Sequence, residues 1–352
     1  MLIKYYLDNR CYLINICCLA DRKGGINIST IHSHNGFQYT FKAQHLTLGL
    51  MMPFDNAEHD ALSFSRQADL AQYAEALGFT SLFVRDSPLY SPNLGPITTN
   101  YDPFVFLTYI SSQTSNIALG TASIVATLRH PIHLAKATTS LDLISNERLL
   151  LGMATGDRQF EFPTFNIETN NLSELYQQAI HSVKSLWQSH SPDTSHTSFQ
   201  LYEDASLQSL PKHRQIPMFA TGYAKQNIDW IKQHMDGWLF YPQAFQEQKK
   251  LLDQWHDNDE FKPFIHPLVI DLSNNPNELV SPIKGGYRLG SNTLLNIFKA
   301  YERIGTNHII LNLKSSDRTY KSMLQEIGEK IIPYFPPHLT KEARKNEIIG
   351  QN

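Results

Sequence analysis

Cysteine is scarce in this chain and lies at one end of it. The 352 residues include three cysteines, Cys11, Cys17 and Cys18, and none follows residue 18. A disulfide framework therefore cannot hold the rest of the chain together. This distribution fits a reducing cytosol, and it fits equally well a protein that makes no use of cysteine. We expect a cytoplasmic protein.

Long apolar runs and surplus positive charge are lacking too. No apolar run reaches the roughly 18 residues of a membrane-spanning helix. The formal net charge is -3, whereas binding to nucleic acid needs a basic face. Hydrophobic residues make up 41% of the chain, as in an ordinary globular protein, and its length permits a sizeable core. We therefore expect a small-molecule substrate, and neither a membrane nor a nucleic acid, as the partner.

The first 45 residues differ from the remainder. The segment MLIKYYLDNRCYLINICCLADRKGG has an apolar centre with flanking charge, but Asn15 and the neighbouring cysteines make it a poor signal peptide. We expect residues 1–45 to form a poorly ordered N-terminal extension. The regular pattern that follows predicts one domain over residues 46–335, with 336–352 as a C-terminal tail.

From residue 46 onward, short apolar runs alternate with segments of helical periodicity. Asp102 followed by Pro103 marks one helix start, because aspartate accepts from free N–H groups and proline suits the first helical turn. The pattern predicts eight strands, each followed by a helix. The strand segments are LTLGLMMPF, TSLFVRD, IALGTASIVA, RLLLGMATG, IPMFATG, GWLFYP, FIHPLVIDL and NHIILNL.

The strands and their connections favour one fold class. Strands that are apolar on both faces belong to a parallel sheet covered by helices. Eight units over about 290 residues favour an α/β fold of the (β/α)8 barrel type over an open doubly wound sheet. No G-x-G-x-x-G motif follows the first strand, which argues against a dinucleotide-binding fold. We expect the active site at the carboxyl ends of the strands, where (β/α)8 barrels carry it.

Three blocks of the sequence have an order and spacing typical of one family. They are GFTSLFVRD, the stretch DPFVFLTYISSQTSNIALGTASIVATLRHPIHLAKATTSLDLISNERLLLGMATG, and IPMFATGYAKQNIDWIKQHMDGWLFYP. Over residues 46–335 the chain resembles the bacterial luciferase-like flavin-dependent monooxygenases. The resemblance implies a (β/α)8 barrel of the luciferase-like type, a homodimer, and reduced flavin mononucleotide (FMN) used with dioxygen. Some relatives use a deazaflavin for hydride transfer instead.

The resemblance also implies a set of cofactor-binding residues. A non-prolyl cis peptide against the flavin ring would fall at Ala122–Ser123, and several relatives have a phosphate-binding arginine at the position of Thr155. The family binds this phosphate where the helix after the fifth strand begins, which we expect near Tyr223 or Ala224, because a helix start attracts anions. The predicted set is Ala122, Ser123, Ala154, Thr155, Gly156, Thr221, Gly222, Tyr223, Ala224 and Gln226.

The end of the second strand departs most from the family. Luciferases have Glu-His-His there, whereas this chain has Asp86, Ser87 and Pro88. General-base catalysis by histidine is thus unavailable at these positions. Asp86 and Arg85 are the candidate catalytic residues. The alternative is that these two side chains only pair with each other.

Three functions are compatible with the sequence. The first is a monooxygenase that uses reduced FMN supplied by a separate flavin reductase and acts on a small organic substrate. The second is a deazaflavin- or FMN-dependent dehydrogenase on the same scaffold. The third is a non-catalytic flavin-binding protein. No metal site is predicted, because His130 and His133 have no further ligands at metal-binding spacing.

Overall fold

The fold is described from a computed structural model. It describes residues 30–338 apart from 56–61, 92, 94–100, 194, 196, 198, 203–204, 258–259 and 315. Residues 1–29 of the predicted extension and 339–352 of the predicted tail therefore lie outside the described residues.

The described residues form ten strands. They are β1 (Thr47–Met51), β2 (Ser81–Val84), β3 (Ala118–Val125), β4 (Leu149–Ala154), β5 (Met218–Thr221), β6 (Gly237–Leu239), β7 (Phe264–Leu272), β8 (Ser281–Ile283), β9 (Gly286–Leu289) and β10 (His308–Asn312). Strands β1 to β7 pair in sequence order, and β10 pairs with both β1 and β7. All eight pairings are parallel, so these strands close into a barrel.

Ten α-helices lie between and around these strands in the described part of the chain. They are α1 (Asn35–Thr40), α2 (Phe64–Leu77), α3 (Pro103–Gln113), α4 (Pro131–Ile144), α5 (Glu161–Thr164), α6 (Leu172–Gln188), α7 (Ile228–His234), α8 (Phe245–Trp255), α9 (Ser291–Arg303) and α10 (Tyr320–Lys330). Asp102 caps α3 as predicted, accepting from the N–H groups of Phe104 and Val105. Each barrel strand is followed by a helix, which confirms the predicted (β/α)8 barrel.

Two apolar layers result from the alternation of side chains along each strand. On β2, Leu82 and Val84 pack outward against the helices, whereas Phe83 points into the barrel. Because successive side chains point to opposite faces of a strand, every second residue of a barrel strand faces the interior. The interior cluster is Ile31, Phe37, Phe41, Met51, Phe83, Ala118, Leu150, Phe219, Leu239, Ile265 and Ile310.

Helix α1 closes the floor of the barrel, at the amino ends of the strands. Phe37 is 2% exposed and Phe41 is 3% exposed, and the Phe41 ring lies 5.5 Å from that of Phe219. His34 caps α1 and its Nε2 lies 2.9 Å from Asp142 Oδ1 on α4. Residues 30–45 therefore differ from the poorly ordered extension that was expected, because their aromatic side chains complete the barrel interior.

A hairpin between β7 and α9 extends the sheet beside β7. Strand β9 pairs in parallel with the end of β7, and β8 pairs antiparallel with β9. Gly285 makes the hairpin turn at φ 76°, a conformation that favours glycine.

Among the described residues, no helix is long and apolar enough to cross a membrane.

Candidate active site

A cavity of about 390 Å³ opens at the carboxyl ends of the barrel strands. Such a volume is typical of small-molecule sites. Apolar side chains from β1, β6 and β7 form one part of its wall, and charged side chains follow β2, β4 and β5. The lining residues are Met51, Arg85, Asp86, Ser87, Ala122, Ser123, Val125, Ala154, Thr155, Gly156, Asp157, Arg158, Thr221, Gly222, Tyr223, Ala224, Lys225, Leu239, Tyr241 and Pro267.

The cavity brings together eleven of the twelve residues that the sequence analysis singled out. Their convergence follows from the barrel, since the carboxyl ends of its parallel strands meet at one face. Gln226 is the exception. Its side-chain amide donates to the backbone oxygen and hydroxyl of Ser173 and accepts from Gln177, so it fastens the loop to α6.

Small residues bring the backbone of β3 and β4 close to the cavity. The peptide bond between Ala122 and Ser123 is cis, as the family resemblance implied. The hydroxyls of Ser123 and Thr221 are hydrogen-bonded to each other across β4. Gly152 permits this approach, because a Cβ there would lie 2.1 Å from the carbonyl oxygen of Thr121.

The end of β4 offers hydroxyl and backbone groups without charge. Thr155 is 6% exposed, and its carbonyl accepts from the Thr127 hydroxyl at 2.7 Å. Gly156 has φ 94°, and a Cβ there would lie 2.9 Å from Val125 Cγ1. Thr155 therefore supplies no cation for a phosphate, and any charge partner must come from another lining residue.

The segment after β5 differs from its prediction. Helix α7 begins at Ile228 with Asn227 as its cap, four or more residues later than expected. Ala224 and Lys225 both have positive φ, at 48° and 59°, and residues 222–225 form a turn. Asn227 explains the difference, because its side chain accepts from the N–H of Trp230 and starts the helix there. The predicted helix start at Tyr223 or Ala224 was wrong.

Gly222 anchors that turn to β6. Its N–H donates to the Leu239 carbonyl at 2.8 Å, and its carbonyl accepts from Trp238 Nε1 at 2.7 Å. Its φ of 58° lies in the region that favours glycine. The turn is thus held rigidly, and it presents the Lys225 side chain, which is exposed, at the edge of the cavity.

Asp86 pairs with Arg129 and not with Arg85. Arg129 Nε donates to Oδ2 at 2.9 Å and Nη2 donates to Oδ1 at 2.8 Å, while the N–H of Val125 donates to Oδ2 at 3.2 Å. Burial alone would lower the pKa of Arg129, but its hydrogen bonds and charge interactions with Asp86 and Asp102 raise that pKa overall. The alternative of an Arg85–Asp86 pair is wrong, because neighbouring residues in extended chain point to opposite sides.

Arg85 points over the barrel interior, two residues after Phe83. It has no hydrogen-bond or ion-pair partner within the described part of the chain. Burial lowers the pKa of its guanidinium, and Tyr241 and Asp157 oppose this while Arg158 adds to it. Arg85 is therefore a cation that faces the cavity without a hydrogen-bond or ion-pair partner among the described residues.

Arg158 is more constrained than Arg85. Its Nη1 donates to the Leu89 carbonyl at 3.0 Å and lies 3.6 Å from Glu161 Oε1. Glu161 is 2% exposed, and burial raises its pKa although Arg158 opposes the shift. This pair ties α5 to the loop after β2 and shapes the rim of the cavity.

The aromatic residues near strand ends do not all line the cavity. Tyr241 does, and burial followed by the charge of Asp157 raises the pKa of its hydroxyl. Phe54 is fully buried with its ring 4.8 Å from that of Tyr320. Tyr101 packs on Phe64 at 5.0 Å. These contacts hold α2, α3 and α10 together, so they belong to the packing.

Several residues that line the cavity or lie beside it escaped the sequence analysis as parts of the candidate site. Lys225 and Asp157 follow strands directly, and a search for charged residues after strand ends would have found both. Arg129 lies 43 residues from Asp86, and no local signal joins the two. In the described ranges, no group of three His, Cys, Asp or Glu residues could hold a metal ion.

The sequence matches the family model described as "Luciferase-like monooxygenase" over residues 46–260. The chain belongs to this family. The match covers β1 to β6 and therefore most of the strand ends that line the cavity. Membership supports an oxidoreductase activity for this luciferase-like chain.

Individual relatives differ in cofactor. The oxygenase component of a flavin-dependent trigonelline monooxygenase from Acinetobacter baylyi is 25% identical over 296 residues, covering 82% of this chain and 77% of that protein. An F420-dependent glucose-6-phosphate dehydrogenase from Kineococcus radiotolerans is 26% identical over 179 residues, covering 49% and 51%. The family thus includes flavin-dependent monooxygenases and deazaflavin-dependent dehydrogenases.

Solved structures show the same fold. The monooxygenase RslO1 from Streptomyces bottropensis superposes with a TM-score of 0.67 at 15% identity, covering 82% of this chain and 99% of that chain. An F420-dependent secondary alcohol dehydrogenase superposes with a TM-score of 0.64 at 13% identity, covering 84% and 99%. At these identities the likeness concerns the barrel alone.

Proposed function

We propose that this chain is the oxygenase component of a two-component flavin-dependent monooxygenase. It would bind reduced FMN delivered by a separate flavin reductase and insert one oxygen atom of dioxygen into a small organic substrate. The observation that carries the proposal is the cavity itself, where backbone from β3 and β4 meets an apolar wall and unpaired cations. The similarity to a flavin-dependent oxygenase component over 82% of the chain supports it.

The lining fits a flavin in two respects. The small side chains of Ala122, Ala154 and Gly156 leave the backbone accessible to a flat ring. Lys225 offers a positive charge next to the turn at Gly222, where a phosphate would replace the interaction that Thr155 cannot make. We place the flavin phosphate at this turn. When bound, reduced flavin would supply the electrons and activate dioxygen.

The side chains of this chain would do little acid–base chemistry. No lining residue is a histidine within the described part of the cavity, and both carboxylate oxygens of Asp86 are engaged by Arg129. Met51, Leu239 and Pro267 line the base of the cavity and exclude water from it, which protects reactive species from hydrolysis. Positioning and water exclusion are therefore the protein's main contributions.

A deazaflavin-dependent dehydrogenase is the second candidate. The similarity to an F420-dependent dehydrogenase over 49% of the chain supports it. Hydride transfer needs no dioxygen, so the two candidates differ in a directly measurable co-substrate. The unpaired cation Arg85 is compatible with either reaction.

The test combines cofactor binding with oxygen consumption. The purified chain is supplied with reduced FMN by an unrelated flavin reductase, and candidate small molecules are screened by mass spectrometry for a gain of one oxygen atom. Product that forms only with chain, reductase and dioxygen together supports the monooxygenase. Substrate oxidation without dioxygen, using oxidised deazaflavin, supports the dehydrogenase. Flavin binding without either reaction would leave a non-catalytic flavin-binding protein.

A further inference from the structure

Arg85 is an exposed residue that lines the cavity. The ionisable side chains that interact electrostatically with Arg85 are Tyr241, Arg158 and Asp157. None of these lies within hydrogen-bonding or ion-pair distance of the guanidinium, and the described residues offer it no other partner. A guanidinium carries five N–H donors in a planar fork, so Arg85 can offer several hydrogen bonds to a ligand in the cavity.

The carboxylates around the cavity do not neutralise Arg85. Asp86 is held by Arg129 through both oxygens. Glu161 lies 3.6 Å from Arg158. Asp157 lines the cavity as an exposed residue, without an ion pair to Arg85. The acids at the rim therefore leave one arginine available for a ligand.

Arg85 and the turn at Lys225 lie on different sides of the barrel mouth. Arg85 follows β2 and Lys225 follows β5, and β3 and β4 lie between them. The turn has a cation of its own in Lys225, so a flavin phosphate bound at the turn would leave Arg85 for a second anion.

We propose that Arg85 binds anionic oxygen atoms of a ligand in this cavity and that the ligand is the substrate, a small organic acid. Its carboxylate would accept two parallel hydrogen bonds from the guanidinium fork. Its apolar part would face Met51, Leu239 and Pro267. The inference rests on the proposed function only in calling this ligand the substrate. The other source of anionic oxygen is the phosphate of the flavin.

The experiment uses matched probes that differ in charge. Benzoate and the uncharged benzamide are titrated by calorimetry into the native chain, with and without saturating FMN. The same titrations are made with Arg85→Gln and with Arg303→Gln, which removes an exposed arginine on the floor side of the barrel. Binding of FMN is compared with that of riboflavin, which lacks the phosphate.

We expect the native chain to bind benzoate at least about tenfold more tightly than benzamide, as charge-assisted hydrogen bonds allow. Arg85→Gln should remove this preference, and Arg303→Gln should retain it. Arg85→Gln should leave the affinities for FMN and riboflavin within about twofold of the native values. It should also leave the thermal midpoint unchanged or higher, since no described partner of Arg85 is lost.

Two outcomes would overturn the inference. Equal affinity of the native chain for benzoate and benzamide would show that the cavity selects no carboxylate. A loss of FMN affinity in Arg85→Gln without loss of riboflavin affinity would assign Arg85 to the flavin phosphate. If the native chain binds no flavin but Arg85 still selects benzoate, the proposed function fails and the anion site stands. Should Arg85→Gln misfold, Arg85→Lys, which keeps the charge and loses the fork, should weaken benzoate binding about tenfold.

Discussion

The carboxylate of Asp86 and the guanidinium of Arg129 lie side by side at the mouth of the barrel. Two hydrogen bonds of 2.9 and 2.8 Å join them, and Arg129 also reaches Asp102 Oδ2 at 3.1 Å. The pair connects the end of β2 with the segment that follows β3 and with the start of α3. Asp86 is therefore a structural clamp of the candidate site.

Asp86→Asn should act mainly on stability: it should lower the free energy of unfolding and have little effect on turnover. The Asp86 side chain is 5% exposed and that of Asp102 is 43% exposed. We expect a loss of about 1.5–3 kcal/mol for Asp86→Asn, because one buried charge-assisted hydrogen bond is removed. Asp102→Asn keeps a helix cap and should cost about 1 kcal/mol or less.

Denaturant unfolding of the two variants measures this difference. A large drop in turnover for Asp86→Asn at native stability would return Asp86 to the catalytic residues. Flavin affinity, measured on the same samples, shows whether the clamp also positions the cavity wall.

Gly222→Ala should weaken flavin binding. Space is available, since a Cβ would meet Tyr241 Cε2 at an ordinary 3.4 Å, but φ is 58°. An alanine there costs about 1–2 kcal/mol or displaces the turn that carries Lys225. Gly285→Ala is the matched control, because its φ is 76° and it lies in the hairpin turn and does not line the cavity. We expect similar losses in stability and at least about tenfold weaker flavin binding for Gly222→Ala alone. Equal flavin affinity in both variants would remove the turn from the cofactor site.

Phe41→Ala should destabilise the barrel from below. The Phe41 side chain is 3% exposed and contacts Phe219 and His308 across the floor. Truncating a buried phenylalanine costs about 3–5 kcal/mol. Phe64→Ala, at a position that is 49% exposed, should cost much less. If the two variants unfold at the same denaturant concentration, residues 30–41 contribute no stability.

His308 should make the protein less stable in mild acid. Burial and, to a smaller extent, the charge of His266 lower the pKa of His308 from 6.5 to about 3, although a hydrogen bond to the Thr47 backbone opposes the shift. Between these values the unfolded chain binds a proton that the folded chain does not, so the free energy of unfolding falls as pH falls. From pH 7 to 5 this residue should account for a loss of about 2 kcal/mol. In His308→Gln the pH dependence over that range should be shallower by this amount, and an unchanged slope would contradict the assignment.

The barrel could be predicted because its signals are local and repeated. The apolar run FIHPLVIDL predicts a buried strand, and β7 has the bounds of that run. Helix α4 follows the pattern PIHLAKATTSLDLI from end to end. Strand ends then identify the cavity, since the closed barrel fixes which ends meet.

The remaining features depend on contacts between distant residues or on backbone conformation. The turn at Gly222 was mistaken for a helix start because Ala224 and Lys225 are ordinary helix formers, and only their positive φ excludes the helix. The Asp86–Arg129 clamp joins two loops, and the adjacent Arg85 is the partner that sequence alone suggests. Residues 30–41 look like an irregular lead-in until the barrel interior shows the space that Phe37 and Phe41 fill.

The most direct test of the proposed flavin site is to measure the affinities of the chain for reduced FMN and for reduced riboflavin under anaerobic conditions. Equilibrium dialysis of the native chain and of Lys225→Gln would give the four affinities, with Lys249→Gln, an exposed residue on α8, as the charge control. We predict saturable binding of one reduced FMN per native chain. Lys225→Gln should bind reduced FMN about tenfold more weakly than the native chain, whereas its affinity for reduced riboflavin should be unchanged. No saturable binding of reduced FMN to the native chain would contradict the proposed function.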